Sequence, residues 1–493
     1  MSRTAILNVV GLTPRVLGPD TPRLAALART GGLIRVKPVL PAVTCTAQST
    51  YLTGRPPAGH GCVANGWYDR TLAEHQFWKQ SNHVVQGPKL WETLRARRPG
   101  FTCAKLFWWY NMYASADWSI TPRPMYPADG RKVFDVYTHP MGLRDEIKKD
   151  LGPFPFPAFW GPLAGIASSE WIARSAQWVE EKSQPDLSLV YLPHLDYNLQ
   201  RLGPDDPRMA ADYREIDRVA GGLIDFYAKR GVRSVVLSEY GITAVKRSIA
   251  LNRMFRARGW ITIKEELGLE LLDCGASKVF AIADHQIAHI YVNDRSLIDA
   301  VRAAVEGVDG VARVLDADGQ RAEGLDHARS GDLVAFSAED AWFTYYYWDD
   351  DAKAPDFARC VDIHRKYGYD PVELFIDPAM AALVAWMVSM TSRQAGHFFF
   401  EPLGYDRVNQ ATNEFKEEIK VGYNLHRKIV LLSICAAIPM LAYWMPAYLT
   451  WAVPLAYEDT PVRITAMAWL FLGAAGLVVA TRLAGLAVRG RRG

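Results

Sequence analysis

Three short apolar runs, each of which ends at a turn or a polar cluster, constrain the fold of this chain more than any other feature. They lie at residues 5–10, 187–192 and 234–237, and helical stretches separate them along the sequence. Runs of this length are typical of strands that are buried on both faces, as in parallel sheets. Residues 24–30 and 209–230 have the apolar spacing of helices. The pattern predicts an α/β/α sandwich with a mostly parallel central sheet.

A more mixed segment at about residues 250–335 interrupts this alternation. It contains an apolar run at 288–292 and a helical pattern at 297–305, which together predict a small α+β cap insertion beside the main sheet. We therefore expect an α/β domain over residues 1–377, followed by a helical linker over residues 378–427.

The remaining residues, 428–493, contain two long uncharged runs at 429–457 and 464–481. A membrane-spanning helix needs about 20 apolar residues, so the first run is long enough to cross a bilayer and the second only just. Basic residues flank both ends, among them Arg427 and Arg489, and the positive-inside rule places both ends in the cytoplasm. The pattern predicts a C-terminal transmembrane helical hairpin, and the alternative is a buried helical pair in a soluble domain.

Composition excludes several other classes of protein. The chain has 56 Lys plus Arg and 53 Asp plus Glu, and a net charge of +3 over 493 residues gives no basic field for a nucleic-acid polymer. Its six cysteines form no C-x-x-C pair, which excludes zinc-finger spacing and a disulfide framework. The first apolar run is too short for a signal peptide, so we expect the main domain on the cytoplasmic side of the membrane.

A hydroxyl group stands where a helical pattern begins. Residues 41–46 (P-A-V-T-C-T) follow a predicted strand that ends near Val39, and a helical pattern then continues through Leu52. A hydroxyl in the first turn of a helix lies among free backbone N–H groups and the positive end of the helix dipole, which suits a nucleophile that faces an anion. Thr44 is therefore a candidate nucleophile, although a threonine at this place is most often a helix cap.

Carboxylates and imidazoles follow the other predicted strands. His194 and Asp196 come after residues 187–192, and Glu239 comes after residues 234–237. Because the carboxyl ends of parallel strands meet at one edge of a sheet, these side chains can converge on a metal or phosphate site. His289 lies inside an apolar run, so we expect it in the core. Further polar candidates lie later in the chain, namely Asp284, His285, Asp362, His364, Arg365 and Lys366.

Taken in order, these segments resemble the type I phosphodiesterase and nucleotide pyrophosphatase branch of the alkaline phosphatase superfamily. The most specific match is residues 41–69, which contain the threonine, a helix, T-G, then H-G and a close similar to G-N-x-x-Y-D. The resemblance covers roughly residues 4–377. It implies a phosphoric ester hydrolase in which two zinc ions clamp the phosphate and activate a threonine that becomes phosphorylated. Thr44 matches that nucleophile, and Asp196 matches the aspartate of the D-x-x-x-H metal motif.

The other metal-ligand positions of the family are changed. Val10 stands where the first strand should end in aspartate, and Gln200 replaces the histidine of D-x-x-x-H. Residues 238–241 read S-E-Y-G in place of S-D-H-G, and Tyr367 replaces the histidine before G-Y-D. Valine cannot bind a metal, and glutamine and tyrosine are poorer zinc ligands than histidine.

Two hypotheses follow from these changes. In the first, the site is remodelled and holds one or two divalent ions, with zinc as the family metal. Asn8 could then supply a missing ligand, because it is two positions before Val10 and alternate residues of a strand share a face. Asp196 and Glu239 would bind the ion with histidines drawn from His194, His285 and His364. In the second hypothesis, the protein is a pseudoenzyme or scaffold that keeps the fold for binding.

The resemblance and the predicted anchor together imply a membrane-tethered phosphodiesterase or pyrophosphatase-like hydrolase with Thr44 as its nucleophile. Arg365 and Lys366 are suited to hold the anionic group of the substrate. The substrate class is a small phosphate ester, and the anchor favours one that is linked to a lipid. Phosphate transfer to another acceptor would use the same nucleophile, and the sequence does not separate it from hydrolysis.

Overall fold

The computed structural model describes residues 3–128, 133–160 and 163–355 together with Ala358. All of these belong to the first of the two units into which the chain divides, residues 1–390. The helices are α1 (Pro22–Gly31), α2 (Thr44–Thr53), α3 (Pro57–His60), α4 (Leu90–Arg97), α5 (Leu143–Leu151), α6 (Ile166–Ser183), α7 (His194–Leu202), α8 (Met209–Ala228), α9 (Leu251–Ala257), α10 (Ile298–Glu306) and α11 (Ala317–Glu323). The strands are β1 (Thr4–Val9), β2 (Gly66–Asp69), β3 (Glu74–Phe77), β4 (Cys103–Leu106), β5 (Trp118–Met125), β6 (Val133–His139), β7 (Leu187–Leu192), β8 (Arg233–Leu237), β9 (Arg247–Ile249), β10 (Ile263–Glu266), β11 (Leu269–Leu272), β12 (Val279–Asp284), β13 (Ile287–Val292), β14 (Val311–Leu315), β15 (Leu333–Ser337) and β16 (Ala341–Phe343).

Six strands form the central sheet, in the order β6-β5-β4-β7-β1-β8. Strand β1 pairs in parallel with β7 and β8, and β4 pairs in parallel with β5 and β7. The edge strand β6 runs antiparallel to β5. The predicted α/β class with a mostly parallel sheet is confirmed, and the runs at residues 5–10, 187–192 and 234–237 correspond to β1, β7 and β8.

The middle of this sheet is buried because its strands are apolar almost throughout. Every residue of β7 is buried, and Leu7 and Val9 of β1 are fully excluded from solvent. Trp171 of α6 and Leu223 of α8 belong to the same hydrophobic core. Full burial of one large apolar side chain stabilises the fold by about 2 kcal/mol. This core therefore fixes the ends of the strands that carry the polar residues.

A second sheet lies within the residues expected to form the cap. Its order is β12-β13-β15-β14, and all of its neighbours are antiparallel. Its apolar side chains form a separate core with Val301 and Val305 of α10. Strand β13 and helix α10 lie where the sequence predicts a strand at 288–292 and a helix at 297–305. The boundaries of the insertion stay a prediction.

The prediction of a strand that ends near Val39 is wrong. Residues 32–39 have no regular secondary structure, and Leu33, Ile34 and Val36 are 57%, 86% and 64% exposed. An extended apolar segment becomes a strand only where a neighbouring strand supplies hydrogen bonds and burial. No described strand pairs with this segment, so it remains a loop that leads into α2.

The predicted membrane segments fall in a part of the chain that the structure does not describe. Among the described residues, no helix has both the length and the apolar character needed to cross a bilayer. The linker at 378–427 and the two runs at 429–457 and 464–481 lie outside the described residues. The transmembrane hairpin therefore stays a prediction.

Replacement of Asp217 on α8 by alanine should destabilise the fold by about 2 kcal/mol, because this buried carboxylate caps another helix. Its two oxygens accept the backbone N–H groups of Arg23 and Leu24, over 3.2 and 2.8 Å, at the start of α1. Chemical denaturation of both proteins measures the difference. Asp225→Ala on the same helix is the control, because that side chain is 60% exposed. Equal effects of the two substitutions would contradict the capping role.

Candidate functional site

Side chains from three strand ends and one helix meet at the carboxyl edge of the central sheet. Asn8 lies near the end of β1, Asp196 lies in the first turn of α7 just after β7, and Glu239 and Tyr240 directly follow β8. Strands β7, β1 and β8 are neighbours in the sheet, so their ends bring these side chains together. Thr44 adds a hydroxyl from the start of α2.

The start of α2 is held in place from the second sheet. Val43 is extended, so the helix begins at Thr44. The backbone N–H of Cys45 donates to Asn65 Oδ1 over 2.9 Å. Asn65 in turn donates its backbone N–H and its Nδ2 to the carboxylate of Asp284, over 2.7 and 3.1 Å. Because Asp284 ends β12, two buried side chains connect that sheet to the first turn of α2.

Thr44 is the first group in a chain of hydrogen bonds. Its Oγ1 lies 3.3 Å from the hydroxyl of Tyr240, which donates to Asp196 Oδ1 over 3.0 Å. Gln200 Nε2 donates to both carboxylate oxygens of Asp196, each over 2.8 Å. Burial raises the pKa of Tyr240, and the charges of Asp196 and Glu239 act in the same direction. The phenol therefore keeps its proton for Asp196, and its oxygen is free to accept from Thr44.

Glu239 is the second carboxylate at this edge, and it is buried, with 3% of its surface exposed. Its Oε1 accepts from Asn8 Nδ2 over 2.6 Å and from Gln48 Nε2 over 2.5 Å. Burial raises the pKa of Glu239 to about 7, although both amide donors favour the charged form. We call this set of hydrogen-bonded side chains the strand-end network: Asn8, Thr44, Gln48, Asp196, Gln200, Glu239 and Tyr240.

Two of the predicted histidine ligands do not take part in the strand-end network. The ring of His194 lies beside α8, where its Nε2 is 3.1 Å from Asp212 Oδ1 and 3.5 Å from Glu215 Oε2. His285 lies in the turn between β12 and β13, with its side chain 50% exposed and its Nε2 3.8 Å from Asp284 Oδ1. Their roles as ligands of the nucleophile's metal stay predictions.

Of the other candidates, His289 lies in the core, and the later ones lie in a segment that the structure does not describe. His289 is fully buried, and its ring makes hydrogen bonds with the carbonyl of Val63 and the backbone N–H of Gly331, as expected for a core side chain. The last group of candidates lies outside the described residues, so their roles stay predictions: Asp362, His364, Arg365 and Lys366.

The sequence motifs indicate no role for Gln48, and they mark Tyr240 only as a changed metal-ligand position. Gln48 follows Thr44 by four positions, so the two lie on one face of α2, and this spacing was the available signal. Its Oε1 also accepts the backbone N–H of Trp109 over 2.5 Å. Nothing in the sequence indicates that the phenol of Tyr240 connects the threonine to Asp196.

A comparison with protein families decides the relationship of this chain. The model of the type I phosphodiesterase / nucleotide pyrophosphatase family matches residues 4–370. The chain belongs to this family. Its members are phosphoric ester hydrolases that depend on bound metal.

Individual relatives are similar over part of their length. The chain is 28% identical over 249 residues to an uncharacterized pyrophosphatase/phosphodiesterase of Schizosaccharomyces pombe, which covers 48% of this chain and 44% of the relative. It is 23% identical over 286 residues to ectonucleotide pyrophosphatase/phosphodiesterase family member 7 of Homo sapiens, with 55% and 54% covered. The chain thus spans about half the length of the curated relatives it matches.

A solved structure shares the fold. Phosphonoacetate hydrolase from Sinorhizobium meliloti, in complex with phosphonoacetate, superposes with a TM-score of 0.50 at 17% identity. The match covers 69% of this chain and 82% of that protein. At this identity the likeness shows the shared architecture, which is that of the alkaline phosphatase superfamily.

The strand-end network does not fit the metal centre that the family implies. Within the described part of the chain, the network offers two carboxylates and no imidazole, whereas protein zinc sites take four nitrogen, sulfur or oxygen ligands. Both oxygens of Asp196 already accept from Gln200, and Glu239 Oε1 accepts from two amides. The described side chains therefore support proton transfer rather than zinc coordination.

Replacement of Glu239 by glutamine should stabilise the protein at pH 8, because the wild type must then keep a charged carboxylate buried. The pKa of this group rises from 4.5 to about 7 on folding. The contribution of the protonated Glu239 to the free energy of unfolding is fully present below pH 4.5 and is lost as the pH rises through about 7. The change in the free energy of unfolding is on the order of 3 kcal/mol. Glutamine keeps the oxygen acceptor for Asn8 and Gln48 without the charge.

Thermal unfolding from pH 4 to pH 9 measures this effect. The melting temperature of Glu239→Gln should exceed that of the wild type at pH 8, and the gap should close towards pH 5. Glu74→Gln on the exposed strand β3 is the matched control. A gap that is constant across the pH range would contradict a raised pKa at Glu239.

Proposed function

We propose that this chain hydrolyses a phosphate ester or phosphoanhydride of a small molecule, with Thr44 as the nucleophile. Membership of a family of phosphoric ester hydrolases supports the class of reaction. The single observation that carries the assignment is the hydrogen-bond chain from Thr44 through Tyr240 to Asp196. Of the three residues in this hydrogen-bond chain, Thr44 and Asp196 keep the residues of the family motifs and Tyr240 does not.

In the first step, the Thr44 oxygen attacks phosphorus while the ester or anhydride bond breaks, and the leaving oxygen departs as an anion that takes up a proton from solvent. The proton of Thr44 passes to the oxygen of Tyr240 while the phenolic proton passes to Asp196, so the nucleophile is activated without a separated charge. Thr44 begins a helix of ten residues. In the first turn, the N–H of Cys45 donates to Asn65 Oδ1, whereas the N–H groups of Thr44 and Thr46 have no acceptor within the helix and can donate to phosphate oxygens.

In the second step, water attacks the phosphorus of the phosphorylated threonine. Asp196 returns its proton through Tyr240 to the departing Thr44 oxygen, while the attacking water leaves one proton on the phosphate product and releases the other to solvent. The relay thus ends in its starting state. If an alcohol replaces water in this step, the same residues perform phosphate transfer.

The C-terminal sequence supports a proposal for the place of the reaction. We propose that residues 428–493 tether the enzyme to a membrane, with the catalytic domain on the cytoplasmic side. The two uncharged runs and their basic flanks support this proposal. A phosphate ester linked to a lipid is then the favoured substrate. Membrane fractionation of the full chain and of a chain that ends at residue 427 tests the tether.

A second candidate function is that of a pseudoenzyme or scaffold. Thr44 is 6% exposed, so a substrate has little access to its hydroxyl. The family's ligand positions are occupied by Val10, Gln200 and Tyr240, and the last two satisfy Asp196 through hydrogen bonds. A scaffold of this kind would show no turnover of any phosphate ester with zinc, manganese or no added metal.

Replacement of Thr44 by alanine should lower the hydrolysis of bis-p-nitrophenyl phosphate by on the order of 10³-fold, because it removes the attacking oxygen. Thr44→Ser keeps a hydroxyl and should retain activity. The release of p-nitrophenol measures both rates. The control is Thr53→Ala in the last turn of the same helix, whose hydroxyl donates to the carbonyl of Ser49. Unchanged activity in Thr44→Ala would remove Thr44 from the mechanism.

Replacement of Tyr240 by phenylalanine should lower kcat by on the order of 10²-fold, because Thr44 loses its proton acceptor while the ring is kept. KM should change little, since the phenol does not hold the phosphate in this mechanism. Steady-state kinetics between pH 6 and pH 9 measure both constants. Tyr213→Phe on α8 is the control. An equal effect of the two substitutions would argue against the relay.

A further inference from the structure

We propose that His194, Asp212 and Glu215 form a binding site for a divalent transition metal ion, with zinc as the first candidate. One ligand atom from each residue lies within 4.8 Å of the other two. His194 begins α7, and the two carboxylates come from α8. The site contains no residue of the strand-end network. The proposal goes beyond the proposed function because metal binding here does not depend on hydrolysis of a substrate.

The distances between these atoms suit a single small cation. Nε2 of His194 is 3.1 Å from Asp212 Oδ1 and 3.5 Å from Glu215 Oε2. Two ligands bound at about 2.05 Å to a tetrahedral zinc ion are separated by about 3.3 Å, and the two observed distances lie on either side of that value. The three side chains are therefore spaced as ligands around one ion.

The imidazole of His194 is the group that indicates a missing ligand. Its side chain is 2% exposed, and neither ring nitrogen makes a hydrogen bond within the part of the chain that the structure describes. The 3.1 Å distance between His194 Nε2 and Asp212 Oδ1 is short enough for a hydrogen bond. The angle at the ring nitrogen, and not the distance, is therefore unsuitable for one. This geometry is expected for a metal site, because an oxygen that binds the same ion as a ring nitrogen lies to one side of the nitrogen's lone-pair axis, where the ion itself lies. A buried polar group in this state needs a partner.

The two carboxylates are arranged as ligands on one side of α8. They are three positions apart, so they lie on the same face of the helix. Asn198 Nδ2 donates to Asp212 Oδ1 over 2.8 Å, and an outer hydrogen bond of this kind orients a ligand. The side chain of Glu215 is 32% exposed, which gives an ion a path from solvent. Two carboxylates also offset the charge of a divalent ion.

A bound ion would connect α7 to α8 at the place where α7 starts. Helix α7 also carries Asp196 and Gln200, two and six positions after His194. The ion would therefore act as a brace that positions Asp196 for Tyr240, and it would not contact the reacting phosphate. This places a metal in the molecule at a position different from the ligand positions of the family.

The test is metal analysis of the full-length chain, purified in detergent through a tag that contains no histidine. After incubation with zinc and gel filtration, mass spectrometry should find one equivalent per chain that is lost in His194→Ala. The isosteric variants Asp212→Asn and Glu215→Gln should weaken zinc binding by at least about tenfold. Zinc should also raise the melting temperature of the wild type and leave that of His194→Ala unchanged.

Two controls separate this site from other sources of zinc. His139→Ala removes an exposed histidine and should keep the equivalent. The double variant Asp196→Asn and Glu239→Gln disables the strand-end network and should also keep it, so the result does not depend on the proposed hydrolysis. The proposal is overturned if the wild type binds no zinc under these conditions. It is equally overturned if all three variants at this site retain full binding or if the strand-end variant alone loses the ion.

Discussion

A buried carboxylate that is fully surrounded by protein is the constraint on which the candidate site depends. Glu239 follows β8, and its oxygen accepts amide protons from Asn8 at the end of β1 and from Gln48 on α2. A carboxyl group removed from water without such partners would cost several kcal/mol. The hydrogen bonds therefore fix two strand ends and one helix relative to each other. With α2 fixed, the hydroxyl of Thr44 stays opposite the phenol of Tyr240.

The architecture was predictable because its signals are local. Strand β7 is one continuous apolar run because it is buried on both faces, and α8 shows its helical spacing within a single segment. The position of Thr44 was also predictable, since it begins a helix that ends at Gly54 in the left-handed region; its role as nucleophile stays a prediction. In each case neighbouring residues in the sequence contain the information that sets the structure.

The partners of the polar side chains were not predictable in the same way. Asp196 and His194 are two positions apart, yet the first contacts Tyr240 and Gln200 and the second lies beside α8. Which way a side chain turns at the start of a helix depends on how that helix packs, and the sequence of α7 does not contain this information. The segment before α2 illustrates the same limit, because a strand forms only where another strand pairs with it.

The link from Asp284 through Asn65 to the first turn of α2 joins residues that are 219 positions apart in the sequence. It makes the length of the hairpin between β12 and β13 important for the candidate site as well as for the second sheet. An insertion or deletion there would shift Asp284 out of register and release the amide of Asn65. A change in the length of this hairpin should therefore disturb the start of α2 as well as the second sheet, even though the turn includes the exposed residue His285.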